Sequence, residues 1–83
     1  MASLNIFPNP AKSAFNISLT NEKADGVNYE IMNALGQTVK KETLSTEKGE
    51  VNYAIDISNI PSGVYFVKVN VGNATSVKKL TIQ

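Results

Sequence analysis

The fold turns on one stretch, Ile57-Ser58-Asn59-Ile60-Pro61-Ser62-Gly63-Val64-Tyr65. An apolar run ends at Ile57, a Pro-x-Gly corner follows, and a tyrosine stands early in the next apolar run. Proline fixes φ and withholds a backbone donor, so sheet pairing stops at Pro61. Gly63 supplies backbone freedom that a side chain would restrict. A tyrosine at this spacing suits a tyrosine corner. In that motif the phenol donates back to the backbone a few residues upstream and fixes a crossover between two sheets. The other reading of Tyr65 is a large core side chain with its hydroxyl in water.

Outward from this corner, apolar and polar residues alternate with period two, which sets one apolar row on one face of each strand. Phe15, Ile17 and Leu19 make one row, and Val27, Tyr29 and Ile31 a second. Val51, Tyr53, Ile55 and Ile57 follow, then Tyr65, Val67, Val69 and Val71, and finally Leu80 and Ile82. Residues 38–44, with Val39 and Leu44, form a further strand with weaker alternation, and residues 4–7 a short strand that Pro8 ends. No stretch keeps the apolar spacing of a helix. Seven short strands at roughly 8–12-residue spacing predict an all-β fold, an Ig-like antiparallel β-sandwich of Greek-key type. Its core is expected to include Phe15, Ile17, Leu19, Tyr29, Ile31, Val51, Tyr53, Ile55, Tyr65, Val67, Val69, Leu80 and Ile82.

The turns agree with this reading. Asn33-Ala34-Leu35-Gly36 lies between two strands, and Gly36 in the left-handed region closes a hairpin loop with a bulge. Asp25-Gly26 and Gly72-Asn73 are further turn pairs. Pro8-Asn9-Pro10 deletes two backbone donors, so the first strand stops there.

A chain of 83 residues holds one core, so 1–83 is read as a single domain. Eight lysines against seven carboxylates leave a net charge of +1. A balance so near neutral argues against a polyanion binder, and no nucleic-acid partner is expected. There is no Arg, His or Cys. That removes the guanidinium fork, the commonest general base and metal ligand, and all thiol chemistry. Ser–His–Asp and Cys–His arrangements are excluded, and nothing in the sequence singles out a Ser–Lys dyad. The carboxylates are spread singly, without the spacing of a calcium loop. The expectation is a protein that is not an enzyme and needs no cofactor or metal. The longest uninterrupted apolar run, Val64-Tyr65-Phe66-Val67, is far below the roughly 20 residues of a membrane helix, so no membrane span is expected. Met1-Ala2-Ser3-Leu4-Asn5 lacks the basic and apolar regions of a signal peptide.

Lys40-Lys41 and Lys78-Lys79 are two basic pairs. Neighbours on a strand point to opposite faces, so neither pair makes a patch on one face. Lysine on an edge strand discourages aggregation between sheets, which is the structural reading of both pairs.

Four segments taken in order are more specific than any one of them. They are Ile6-Phe7-Pro8-Asn9-Pro10-Ala11, then Tyr29-Glu30-Ile31-Met32-Asn33-Ala34-Leu35-Gly36-Gln37-Thr38-Val39, then Ile57 to Val69 around Pro61-Ser62-Gly63-Val64-Tyr65, and Lys78-Lys79-Leu80-Thr81-Ile82. Together they resemble the type A C-terminal sorting domain of the type IX secretion system of Bacteroidetes (the Por secretion system family). The resemblance covers essentially the whole chain, from Leu4 to Gln83. Phe7 stands where that family often has tyrosine, a change that removes only a hydroxyl.

The resemblance implies an Ig-like domain on the C-terminus of a larger exported protein. Its implied partners are outer-membrane type IX secretion components, a sortase-like peptidase that commonly removes the domain, and a fused N-terminal cargo. The implied location is the cell surface or extracellular space, reached through the periplasm, and the domain has no catalytic part. Met1-Ala2-Ser3 are then expected to be residues added ahead of the domain. The recognition candidates are Pro8, Asn9, Pro10, Gly36, Gly63, Tyr65, Lys78, Lys79 and Leu80, with the last strand, Val77 to Gln83, carrying the signal. A second class of function suits the same fold: an Ig-like accessory module for carbohydrate binding or cell-surface adhesion. That role calls for exposed aromatic rings. There is no Trp, and Phe66, expected off the core row beside Lys68, is the one aromatic placed for it.

Overall fold

Each apolar row becomes a strand in the computed structural model, which describes residues 4–21, 26–44 and 49–83. The strands are β1 (Leu4–Phe7), β2 (Ala14–Asn21), β3 (Val27–Asn33), β4 (Thr38–Thr43), β5 (Gly49–Asp56), β6 (Gly63–Val71) and β7 (Ala74–Ile82). They form two antiparallel sheets, one in the order β1-β2-β5 and the other in the order β4-β3-β6-β7. The chain changes sheet between β2 and β3, between β4 and β5, and again between β5 and β6. This is the pattern of an Ig-like sandwich whose fourth strand has joined the larger sheet.

Register explains why the rows bury. In the smaller sheet Phe15 lies opposite Ile55 and Ile17 opposite Tyr53. In the larger sheet Tyr29 lies opposite Val69, Ile31 opposite Val67, and Tyr65 opposite Leu80. Both inner faces are therefore apolar, and they meet in one cluster that includes Phe15, Ile17, Leu19, Tyr29, Ile31, Ile55, Tyr65, Val67, Val69, Leu80 and Ile82. Ala11, Val27, Ile57 and Val71 complete it. Burying each Val, Leu, Ile or Phe side chain contributes about 1.5–3 kcal/mol, the main favourable term in a chain without cysteine.

One core expectation is corrected. Tyr53 is only partly buried, packed against the cluster rather than inside it. It stands on β5, which is an edge strand of the smaller sheet among the described residues, in the same row as buried Ile55. The side chain of Val51, residue Asp25 and Met1-Ala2-Ser3 lie outside what is described.

The β3–β4 hairpin follows its turn chemistry. The Gly36 N–H donates to the Asn33 carbonyl at 3.0 Å, and the Asn33 N–H donates to the Gln37 carbonyl at 2.9 Å. Asn33 Oδ1 accepts from the Leu35 and Gln37 amides, both at 3.0 Å. Gly36 has φ +84°, the left-handed conformation such a bulged loop needs. A register shift between Ile31 and Met32 leaves Val39 bulged out of the ladder, the reason alternation weakens there.

Both basic pairs fall on the outermost strands of the larger sheet, β4 and β7. On β4 the partners diverge as the pleat requires. Lys40 lies in the row of buried Ile31, and Lys41 in the row of Glu30 on the outer face. Lys40 Nζ reaches across to the smaller sheet and donates to the Asp56 carbonyl at 2.7 Å, while pairing with Glu42 at 3.4 Å.

Candidate recognition surface

The phenol of Tyr65 donates to the Pro61 carbonyl at 2.7 Å, which closes the tyrosine corner between β5 and β6. Pro61 presets the approach and Gly63 turns the chain, with φ +154°, where L side chains are strained. A Cβ on Gly63 would lie 3.6 Å from the Tyr65 ring, an ordinary contact, so the requirement for glycine is conformational rather than steric.

This corner lies at one end of the sandwich, and register brings the other motifs to that end. Asn33, at the base of the Gly36 hairpin, is opposite Tyr65. Leu80 is opposite Tyr65 on the other side, and Ile82 is opposite Gly63. The Pro8-Asn9-Pro10 segment joins them through side-chain bonding that the sequence does not announce. Asn9 Nδ2 donates to the Lys79 carbonyl at 2.9 Å, and Asn9 Oδ1 accepts from the Thr81 N–H at 3.0 Å. One amide side chain thus satisfies a carbonyl and an N–H on β7, as a neighbouring strand would. Ala11 continues the arrangement: its N–H donates to the Thr81 carbonyl and its carbonyl accepts from the Gln83 N–H, both at 2.8 Å. Motifs separated by 72 residues, Asn9 and Thr81, are therefore one local structure.

The candidates differ in what they present to solvent. Pro8, Asn9 and Pro10 are exposed, Gly63 is half-buried, and Tyr65 and Leu80 are buried. Gly36 is exposed at the hairpin, and beside it Leu35 is 85% exposed. Lys78 and Lys79 are both exposed but on opposite faces, Lys79 opposite Phe66 and Lys78 opposite Val67. The outer face carries Val64, Phe66 (37% exposed) and Val77 (53% exposed) beside Lys68 and Lys79.

Elsewhere several polar groups engage each other. A shallow depression of about 390 Å³ is lined by Asn28, Tyr29, Glu30, Lys41, Glu42 and Asn70. Within it the Tyr29 hydroxyl donates to Glu42 at 2.9 Å and Asn70 Nδ2 donates to Asn28 Oδ1 at 2.8 Å. Burial, reinforced by the bond to the Glu42 carboxylate and by its charge, pushes the Tyr29 phenol well above its ordinary pKa. Asp56 is held below the usual carboxylate range by the Ser58 N–H it accepts at 2.9 Å, with a smaller contribution from Lys40.

The candidate residues thus gather at one end of an Ig-like sandwich, on turns and an edge strand. The chain matches the sequence profile of the secretion system C-terminal sorting domain over residues 5–83, and it belongs to that family, the C-terminal sorting domains of type IX secretion. A search of curated proteins gave no match.

Proposed function

We propose that this domain is a non-catalytic address, read by the outer-membrane type IX machinery so that a cargo fused ahead of it is carried to the cell surface or beyond. Family membership supports the sorting role. The observation that carries the local reading is the bonding of Asn9 to β7, which makes the Pro-Asn-Pro segment and the terminal strand a single exposed element. Exposed Lys78 and Lys79 are the groups the machinery contacts. Buried Tyr65 and Leu80, with Gly36 and Gly63, hold the surface in shape. A sortase-like peptidase then removes the domain, acting ahead of β1. The adhesion reading is not favoured: the two exposed phenylalanine rings among the described residues, Phe7 and Phe66, stand on different sheets, and Phe66 stands among lysines.

The test is Lys78→Gln with Lys79→Gln in a secreted reporter fusion. Both side chains are exposed, so the melting temperature of the isolated domain is expected to stay put while export falls. Equal folding with equal export would reduce the pair to edge protection.

A further inference from the structure

Along a strand, alternate residues send their N–H and C=O to the same side. On β7, Lys79 and Thr81 send theirs away from β6, toward Asn9 and Ala11. Thr75 and Val77 therefore face the same open side. The outer edge of β7 is divided: from Lys79 to Gln83 it is closed by Asn9 and Ala11, whereas at Thr75 and Val77 no backbone partner stands among the described residues.

The other edges differ from it. β4 is broken by its bulge, and β1 is four residues long and ends at Pro8. On β5, Lys40 covers the Asp56 carbonyl at the strand's end, and the edge ahead of it carries no lysine pair. Lys40 is paired with Glu42, but Lys78 and Lys79 have no carboxylate partner among the described residues. For a ligand on either face of the sheet these lysines are two separate charges. For a strand lying along the edge they flank it on both sides and act together.

We propose that the open half of the β7 edge, residues 75–78, bordered by Lys79, is a strand-addition site for an extended acidic segment of a protein partner. For its biological meaning it rests on the sorting role proposed above and deepens it. The backbone groups of Thr75 and Val77 hold the incoming main chain. Its side chains alternate, so one meets Val77 and Lys79 on the outer face and the next meets Lys78 on the inner side, which selects carboxylates at adjacent positions. Asn9 ends the site and sets its register. A second β7 edge is a poor occupant, because two such edges would bring four lysines together.

The experiment titrates the isotopically labelled 83-residue chain with a short synthetic peptide in which two adjacent glutamates are flanked by valine and threonine. Amide exchange at Thr75 and Val77 is expected to slow on addition of this peptide. A peptide with lysines in place of the glutamates, and one with proline in place of a valine, should leave exchange unchanged. Lys78→Gln with Lys79→Gln should weaken binding by about tenfold or more. Val77→Pro removes an outward-facing donor, a change that edge strands tolerate, and should abolish the protection; if that variant fails to fold, the lysine variant and the proline-bearing peptide still decide. Equal binding of the proline-bearing peptide, protection that maps to another edge, no protection at saturating peptide, or concentration-dependent protection without peptide would each overturn the site. The titration contains no secretion component, so a fusion that is not exported would refute the sorting role and leave this result standing.

Discussion

Removing one oxygen, in Tyr65→Phe, tests the corner on which the fold reading began. The ring is buried against the core and stays there in the variant; only the bond from the hydroxyl to the Pro61 carbonyl, 2.7 Å long, is lost. A neutral hydrogen bond contributes about 0.5–1.5 kcal/mol net, and leaving an acceptor unsatisfied in a dry interior adds more. Pro61 is exposed, so water replaces the lost donor and the second penalty does not apply. The expected cost is about 1 kcal/mol, which lowers the melting temperature of a domain of this size by about 4–8 °C. Chemical denaturation should show a lower midpoint with an unchanged slope, because the surface exposed on unfolding is the same. A melting temperature equal to that of the parent would refute the reasoning, since it would mean that the hydroxyl is solvated in solution and the β5–β6 crossover is held by packing alone.

Asn9→Ala removes both side-chain bonds to β7; a loss of about 1–2 kcal/mol is expected, with faster amide exchange at Thr81 as the specific sign. Gly36→Ala meets no atom within 4 Å but must hold φ at +84°, so a cost of about 1 kcal/mol is expected from conformation alone, and an unchanged denaturation midpoint would contradict the bulged turn. Tyr29→Phe tests alkaline linkage. The folded pKa of Tyr29 is raised above its unfolded value of about 10, so its contribution is fully present below that pH and is lost as pH rises through the folded value. The variant should therefore be less stable at neutral pH but lose less stability between about pH 10 and 12, as read by denaturant midpoints across that range.

What was legible in the sequence was what local chemistry or burial dictates. Period two identified the strands because each inner face must be apolar, and rows such as Val27-Tyr29-Ile31 have no other way to bury. Pro61, Gly63 and Tyr65 lie close together in the chain, so the corner could be read before any tertiary contact was known. The Asn33–Gly36 turn was legible for the same reason. Asn9 stands in a recognisable motif, but its partners lie 70 and 72 residues away, and no local signal distinguishes an asparagine that bonds to its own turn from one that closes a distant strand edge. Lys40 shows the same limit: a lysine pair on an edge strand is legible in the sequence, whereas the bond across to Asp56 depends on how the two sheets stack. Tyr53 shares the alternation of the buried rows, yet it is only partly buried while Ile55, two residues on along the same edge strand, is buried; alternation assigns a face and not a depth.

The central claim, that this domain is an export address, is tested most directly by the fraction of a reporter found outside the cell. The reporter carries a signal peptide and residues 1–83 at its C-terminus, and is compared in a type IX-competent bacterium and in the same strain lacking the outer-membrane translocon. The expected result is reporter at the surface or in the medium of the competent strain and retained in the periplasm of the other. Retention in both strains, or release from both, would contradict the claim.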